Sequence, residues 1–434
     1  MNPTVTADGP LEPTAPDAAA ETVDLPKVNA RYIWLMVLAQ FGVFVAFITP
    51  IAISLAIRVQ SLAPGHDEYL GYITGVGAFV VMFTAPLMGV LSDRTRTRLG
   101  RRRPFMIGGL VLGVVSLVVM ATAPSILVLG LGWILAQLGW GQVLGNLQNS
   151  TADRLPESQR GKVAGLTGFA TQIAPVLGVV VASPFAADPL LLFLIPGSIG
   201  VVLTLLFVTL VHEDDSRSMP VEDRLTFHSL FGKYLFNPKQ YPDYSLNWLA
   251  RFLFYFGITL NTTFTAYFFA SRLGMTVEAV AGIIAVLGIA GVVATTIGAL
   301  GGGFLSDRLR RRRVFVFAGA ALMAVGMVIA AFSATLPVLV AGSFVTSVGL
   351  GMFASVDQAL LLDVLPERST QAGRFMGITG FATSIPQAAA PFIGSALLVV
   401  GVSGDEKNYT LLFLIAAVLV LVGGLAAMRI RSVR

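Results

Sequence analysis

Between two long apolar runs lies the segment Gly89-Val-Leu-Ser-Asp-Arg-Thr-Arg-Thr-Arg-Leu-Gly-Arg-Arg-Arg-Pro104. Its seven charges, six of them arginine, cannot enter hydrocarbon, so the link must turn in water. The positive-inside rule places that turn on the cytoplasmic side. Gly89 and Ser92 are small enough to let two helices pack closely before the turn. Asp93 stands at a helix end among cations, positioned to pair with an arginine or a neighbouring helix terminus.

The rest of the chain agrees with a membrane setting. Only 12% of its 434 residues are charged and 55% are hydrophobic, against about 25% charged in a soluble protein. The net charge of +5 sits in short loops rather than on one continuous face, which argues against nucleic acid as a partner. Zero cysteines exclude disulfides, thiolate metal sites and thiol catalysis. His66, His212 and His228 all fall in loops, so no metal and no cofactor is expected. Neither a catalytic dyad nor a phosphate-cradling loop points to an enzyme.

Twelve apolar spans follow one another, at about 32–57, 70–91, 104–122, 125–149, 163–183, 190–211, 246–270, 279–304, 314–333, 336–361, 375–400 and 409–428, each near the ~20 residues a bilayer requires. With both termini cytoplasmic, all but four of the 29 Lys and Arg fall in cytoplasmic segments. The exceptions are Arg58, Arg272, Lys407 and the intramembrane Arg251. That asymmetry sets the topology. Residues 1–28 have no apolar core and read as a disordered cytoplasmic tail. The longest link, 212–245, separates a six-span unit at 29–211 from another at 246–434. Within it Leu225–Phe236 has the pattern of an interfacial amphipathic helix, either a regulatory site or a plain strap between the halves.

The two halves repeat. Val90-Leu-Ser-Asp-Arg94 recurs as Phe304-Leu-Ser-Asp-Arg308, Asp153-Arg-Leu-Pro-Glu157 as Asp363-Val-Leu-Pro-Glu367, and Gly165-Leu-Thr-Gly-Phe-Ala-Thr171 as Gly377-Ile-Thr-Gly-Phe-Ala-Thr383. Ala174-Pro175 recurs as Ala390-Pro391. The offsets run from 210 to 216 residues, in one order and on one side. The expected fold is therefore an all-α membrane protein of twelve transmembrane helices, in two six-helix bundles related by a parallel pseudo-two-fold. Its substrate site would lie between the bundles near the midplane.

At this point the motifs match a family. The loop after span 2 resembles the signature loop of the major facilitator superfamily. Its ending Arg-Leu-Gly-Arg-Arg-Arg-Pro-Phe105 is most similar to the glycoside–cation symporter and sucrose transporter branch, as are Gln40-Phe41-Gly42 and Thr49-Pro50 of span 1. The resemblance implies alternating access and secondary transport, often of sugar coupled to protons. Plant-type sucrose carriers place an acid where this chain has Gln137 and an arginine where it has Gln148. The melibiose-type sodium carriers resemble the chain less, since spans 1, 2 and 4 lack the buried acid that cages sodium.

Charge within the membrane is costly and marks function. Arg251 in span 7 and Asp357 in span 10 each lie about six residues from the cytoplasmic end of their span, roughly 9 Å deep at 1.5 Å per residue. Equal depth and opposite sign predict a pair, either a proton-coupling switch or a permanent ion pair that only ties the bundle. In the first case Asp357 stays a carboxylate beside Arg251 and binds a proton when the pair separates. In the first half Gln40 and Leu147 stand at the equivalent places.

Span 4 carries two polar stripes: Gln142, Asn146, Asn149 and Asp153, and Gln137, Trp140, Leu144 and Gln148. Amides donate and accept, which suits a neutral hydroxylated ligand, and an indole face stacks on a sugar ring. Gln40, Gln172, Tyr255, Asn261 and Gln387 join them as candidate substrate contacts. The alternative for each is a hydrogen bond to a neighbouring helix. Asp93 with Arg94 and Asp307 with Arg308 are expected to latch the cytoplasmic gate, with Gly89, Gly100, Arg101 and Arg102 in the same loop and Asp153 and Asp363 as helix-end partners. Arg58, His66, Asp67 and Glu68 are expected to be solvated outside. Pro175 with Gly178 and Pro391 with Gly394 predict bent, closely packed helices.

The expected protein is a monomeric transporter in the plasma (inner) membrane that takes up a sugar or other small polar solute with protons. The alternative is a proton-coupled antiporter exporting a small amphipathic compound.

Overall fold

Five helices start where a short polar side chain takes the first free backbone N–H groups. Asn29 accepts from Tyr32 N, Ser125 from Val128 N, Asp188 from Leu190 N and Leu191 N, Thr276 from Ala279 N, and Asn408 from Leu411 N. Each cap contributes about 1 kcal/mol. The computed structural model describes residues 26–218, 236–367, 371–403 and 406–433. The expected tail (residues 1–25 of it) and nearly all of the Leu225–Phe236 segment lie outside the described residues.

The helices in chain order are α1 Ala30–Leu62, α2 Glu68–Arg94, α3 Arg103–Thr122, α4 Ile126–Arg154, α5 Glu157–Ala182 and α6 Pro189–Leu210. Then come α7 Pro242–Thr263, extended past a break at Phe264 by Thr265–Leu273, and α8 Val277–Leu309. α9 Arg312–Ala331, α10 Leu336–Val364, α11 Ala372–Leu398 and α12 Tyr409–Met428 complete the set. Eleven of these are long and apolar enough to cross a bilayer. The twelfth, α7, is broken at Phe264 and carries Asn247 and Arg251 on buried positions. Several helices outrun the spans expected from hydropathy, α4 to Arg154 and α8 to Leu309. Their polar last turns leave hydrocarbon while the backbone ladder continues.

Lipid gives no hydrophobic push between helices, so close approach depends on small residues. Gly139 on α4 sits against Gly109 and Gly113 on α3, where an added Cβ would come within 2.5 Å of Gly113 N. Gly349 on α10 meets Gly319 on α9 in the same way. The first bundle packs α1 on α5 and α6 and α3 on α4; the second packs α9 on α10 and α12, and α7 on α12. The two bundles repeat one another about a parallel pseudo-two-fold.

The bundles meet along α2 with α11 and α5 with α8. A Cβ at Gly71 of α2 would overlap Ser395 Oγ and the Pro391 carbonyl of α11, and one at Gly75 would lie 2.6 Å from Phe392. Both glycines belong to the α2 end remote from the arginine-rich loop. Towards that loop α2 and α11 part. A Cβ at Gly89, Gly165, Gly168 or Gly380 meets nothing within 4 Å. Gly89 is therefore not a close-packing residue, contrary to expectation. The close packing expected beside the prolines is present, with Gly178 against Thr49 Oγ1 and Gly394 so close to the Phe264 ring that an added Cβ would come within 2.5 Å of it.

Candidate functional site

Where α2 and α11 diverge, a cavity of about 350 Å³ opens between Ala78–Pro86 of α2, Gln137 of α4 and Gly377–Gln387 of α11. A second, of about 210 Å³, runs between α2 and α4 and shares Val81, Ala85 and Gln137. The amides of α4 distribute between them. Gln137 lines both, while Gln142, Asn146, Gln148 and Asn149 line the second. Gln387 and Ser384 of α11 face the first. Asn146 is also a tie between helices: its Oδ1 accepts from Ser92 Oγ at 2.6 Å, and its Nδ2 donates to the Gln142 carbonyl at 2.9 Å.

Other candidates lie elsewhere. Trp140 is fully buried with its ring on Gly113 of α3 and Gly200 of α6, so it faces the bundle interior and lines neither cavity. The stripe that carries it winds away from the cavity because those two glycines open a slot for the indole. Gln40 is buried within α1 and Gln172 is exposed on α5; neither lines a cavity described above. Asn261 is half-buried beside the α7 break.

The second bundle holds the charged pair. Arg251 Nε lies 3.3 Å from Asp357 Oδ2, with 10% and 1% of the two side chains exposed. Asn247 Nδ2 donates to Asp357 Oδ1 at 3.2 Å, and the guanidinium sits 6.0 Å from the Tyr255 ring centroid. Asn247 was missed from sequence, although its place four residues before Arg251 on one helical face was a usable signal. Arg251 Nη1 and Asn247 Oδ1 are buried without hydrogen-bond partners. Neighbouring side chains of α7 grip α11: Trp248 Nε1 donates to the Ile378 carbonyl at 3.0 Å and Tyr244 Oη to that of Phe375 at 2.7 Å. The next turn of α11, from Gly377 to Phe381, is the cavity wall.

At the basic end the aspartates pair with arginines across the turn. Asp93 pairs with Arg102 at 2.5 Å, and Asp153 with Arg101 at 2.8 Å and Arg102 at 3.2 Å. In the second half Asp307 and Asp363 both pair with Arg312, at 3.6 and 2.5 Å. An arginine at the start of α3 or α9 thus bridges two aspartates. Adjacent residues on a helix point apart, whereas the start of the next helix lies across the turn. Glu213, also missed, accepts from Arg102 N at 2.8 Å and Arg103 N at 2.9 Å. Gly100, at φ +86°, leaves room for that carboxylate.

The opposite end is closed by contacts between bundles, several from residues expected to be solvated. Lys407 Nζ lies 2.9 Å from Glu68 Oε2, both nearly buried. Tyr409 donates to Asp67, Ser395 Oγ to the Glu68 carbonyl at 2.7 Å, and Tyr267 Oη to the Ala56 carbonyl at 2.8 Å. Burial raises the Asp67 carboxyl above its usual range, against the lowering effect of the Tyr409 hydrogen bond and Lys407. His66, 54% exposed, bonds Glu68 at 2.9 Å.

Two bundles joined at one end around an amide-bearing cavity are the build of a membrane solute carrier, which exposes one site to either side in turn. The chain matches the Major Facilitator Superfamily over residues 32–301 and 292–434 and belongs to that superfamily. It is a secondary transporter. A stretch of 78 residues, 18% of the chain, is 38% identical to the general alpha-glucoside permease of Schizosaccharomyces pombe, covering 13% of that protein's length. A mutant form of the nucleoside transporter NupG superposes with TM-score 0.73 at 14% identity, over 92% of this chain and 99% of that one. A bacterial homologue of the human lysosomal transporter Spinster, in an inward-facing and unoccupied conformation, gives 0.68 at 14% identity over 93% and 98%. At these identities the structural likeness shows the fold.

Proposed function

We propose that the protein is a proton-coupled importer of a sugar or glycoside, with Asp357 as the proton carrier and Arg251 as its partner. The observation that supports this reading most is the buried cluster in which Arg251 and Asn247 of α7, the helix that holds the cavity wall, meet Asp357 of α10. A carboxylate that takes a proton releases the guanidinium, and α7 is then free to shift α11 through Trp248 and Tyr244. The arginine-rich end and both termini would lie in the cytoplasm of a plasma-membrane monomer. Residues 29–211 and 246–434 would act as the rocking units, joined by 212–245. The cavity, about 350 Å³, falls within the ~300–1,000 Å³ of small-molecule sites. Gln137, Gln387 and Ser384 supply donors and acceptors for hydroxyls there, with Gln142, Gln148 and Asn149 along the route. The Asp93–Arg102–Asp153 and Asp307–Arg312–Asp363 clusters, with Arg101, would brace each bundle's cytoplasmic rim while it stands open.

One observation favours a second reading, proton-driven export of an amphipathic compound. Much of the cavity wall is apolar, formed by Val81, Met82, Pro86 and Phe381.

The test is uptake of labelled mono- and disaccharides into proteoliposomes, with and without an inward proton gradient, for wild type and Asp357→Asn. Gradient-driven uptake lost in the variant is the expected result. Driven uptake that survives the substitution removes Asp357 from the mechanism. Absence of uptake for every sugar overturns the substrate and brings the export reading forward.

A further inference from the structure

The pseudo-two-fold relates the loops at the basic end, the second four residues shorter between its aspartate and its bridging arginine, and among the described residues the second lacks the first one's capping carboxylate. In the first half Arg102 bridges Asp93 and Asp153, Arg103 Nη2 donates to the Val211 carbonyl, and Glu213, two residues on, caps the start of α3. In the second half Arg312 bridges Asp307 and Asp363, and Arg313 Nη1 donates to the Ile430 carbonyl. Two residues beyond Ile430 stands Ser432, which cannot supply a carboxylate. Among the described residues no carboxylate accepts from the backbone at the start of α9 as Glu213 does at α3.

The place is a cleft of about 1200 Å³ lined by Arg310, Arg311, Arg312 and Arg313, with Ser306 and Ser432. Its two acids, Asp307 and Asp363, are both engaged by Arg312. Arg310 and Arg311 are exposed, and Arg310 takes the left-handed conformation, φ +53°, that Gly100 holds in the first half. Ser306 points to a ligand independently. Only 2% of it is exposed, its Oγ has no hydrogen-bond partner, and it lines the cleft. Its counterpart Ser92 is fully engaged by Asn146 and Arg102.

We propose that this cleft binds a phosphate group, seated on the start of α9 between Arg310, Arg311 and the Ser306 hydroxyl. Helix N-termini and arginine forks both favour a tetrahedral oxyanion. The group arrives as the headgroup of an anionic phospholipid in the adjoining leaflet or as free phosphate.

The experiment titrates phosphatidylglycerol, phosphatidylcholine and inorganic phosphate into the purified full-length protein, reading lipid adducts by native mass spectrometry and phosphate by thermal shift. Selective phosphatidylglycerol adducts, weakened roughly tenfold or more by Arg310→Gln/Arg311→Gln, support the site with lipid as source. Stabilisation by inorganic phosphate, lost in the same variant and without lipid selectivity, supports the site with a soluble source. Ser432→Glu, at an exposed position, places a carboxylate beside both arginines and is expected to suppress either kind of binding; it carries the test should the arginine variant fail to fold. Arg96→Gln/Arg98→Gln removes equal charge from the other loop and is expected to leave binding intact. Binding of neither probe, binding unchanged in the two site variants, or equal loss in the Arg96/Arg98 variant overturns the proposal.

Discussion

Leucine at Asp357, at Arg251 and at both tests what the buried pair does for the fold. Asp357 has two partners, Arg251 Nε at 3.3 Å and Asn247 Nδ2 at 3.2 Å, with 1% of its side chain exposed. Asp357→Leu leaves a guanidinium, itself 10% exposed, with no carboxylate. Arginine cannot shed its charge, so the loss is expected at about 3–5 kcal/mol. Arg251→Leu leaves an acid that can bind a proton and keeps its Asn247 donor, so the loss is expected to be smaller, roughly 1–3 kcal/mol. Removing both charges leaves only Asn247 underpaired, and the double variant is expected within about 1 kcal/mol of wild type. Equilibrium unfolding in mixed detergent micelles measures all three, and the cycle is expected to show a coupling of several kcal/mol. Singles within about 0.5 kcal/mol of wild type, or a double variant as unstable as both losses together, would refute this reading of the pair.

Three further outcomes follow from the closed end and the loops. Since the chain has no cysteine, Ser384→Cys alone reports access to the cavity. It is expected to react with impermeant thiol reagent from the basic side, and from the opposite side only after Gly71→Leu, whose side chain would overlap Ser395 and Pro391. Labelling from both sides in the parent would contradict the closure. Gly100→Ala and Gly274→Ala both force alanine to a positive φ, +86° and +62°, at about 1–2 kcal/mol. Only the Gly100 methyl also strikes Glu213, so it is expected to lower the melting temperature further, and equal losses would count against the Glu213 cap. Asp67 is held above its usual range by burial in the closed state. Its contribution to closure is therefore full below the ordinary carboxylate range and lost as pH rises through its raised value. The Ser384→Cys/Gly71→Leu labelling rate from the far side is expected to rise over that window, and Asp67→Asn to flatten the change; a profile unaltered by Asp67→Asn would dismiss it.

The repeat was readable in sequence because packing demands recur. The same glycines that let α3 approach α4 are required where α9 meets α10, and each loop needs an arginine to hold two aspartates. Arg251 and Asp357 stood out because charge in a span is rare. What stayed hidden depends on rotation and on chain crossings. Trp140 shares a stripe with Gln137, but only the slot cut by Gly113 and Gly200 decides that the ring turns inward. Glu68 and Lys407 lie far apart in sequence and read as separate charges at the outer face until α2 and α11 are set side by side. Glu213 looked like one acid among several in a link, and only the left-handed turn at Gly100 brings it under the start of α3.

The chemistry sits where the repeat is broken. Gln40 and Leu147 in the first half stand where the second has Arg251 and Asp357, so among the described residues the ion pair buried inside a bundle lies in the second half. The amides run the other way: α4 lines the cavities with five, and α11 adds Gln387. On the proposed reading, such a division would separate recognition from coupling. A ligand would contact α4 without meeting a buried charge, while a proton that neutralised Asp357 would act on α7 and reach the cavity only by moving α11. If recognition and coupling are divided in this way, Gln137→Ala should weaken solute affinity while keeping gradient dependence, and Asp357→Asn should abolish gradient dependence while sparing equilibrium binding. Kinetics that change together in both variants would place the two functions on one set of residues.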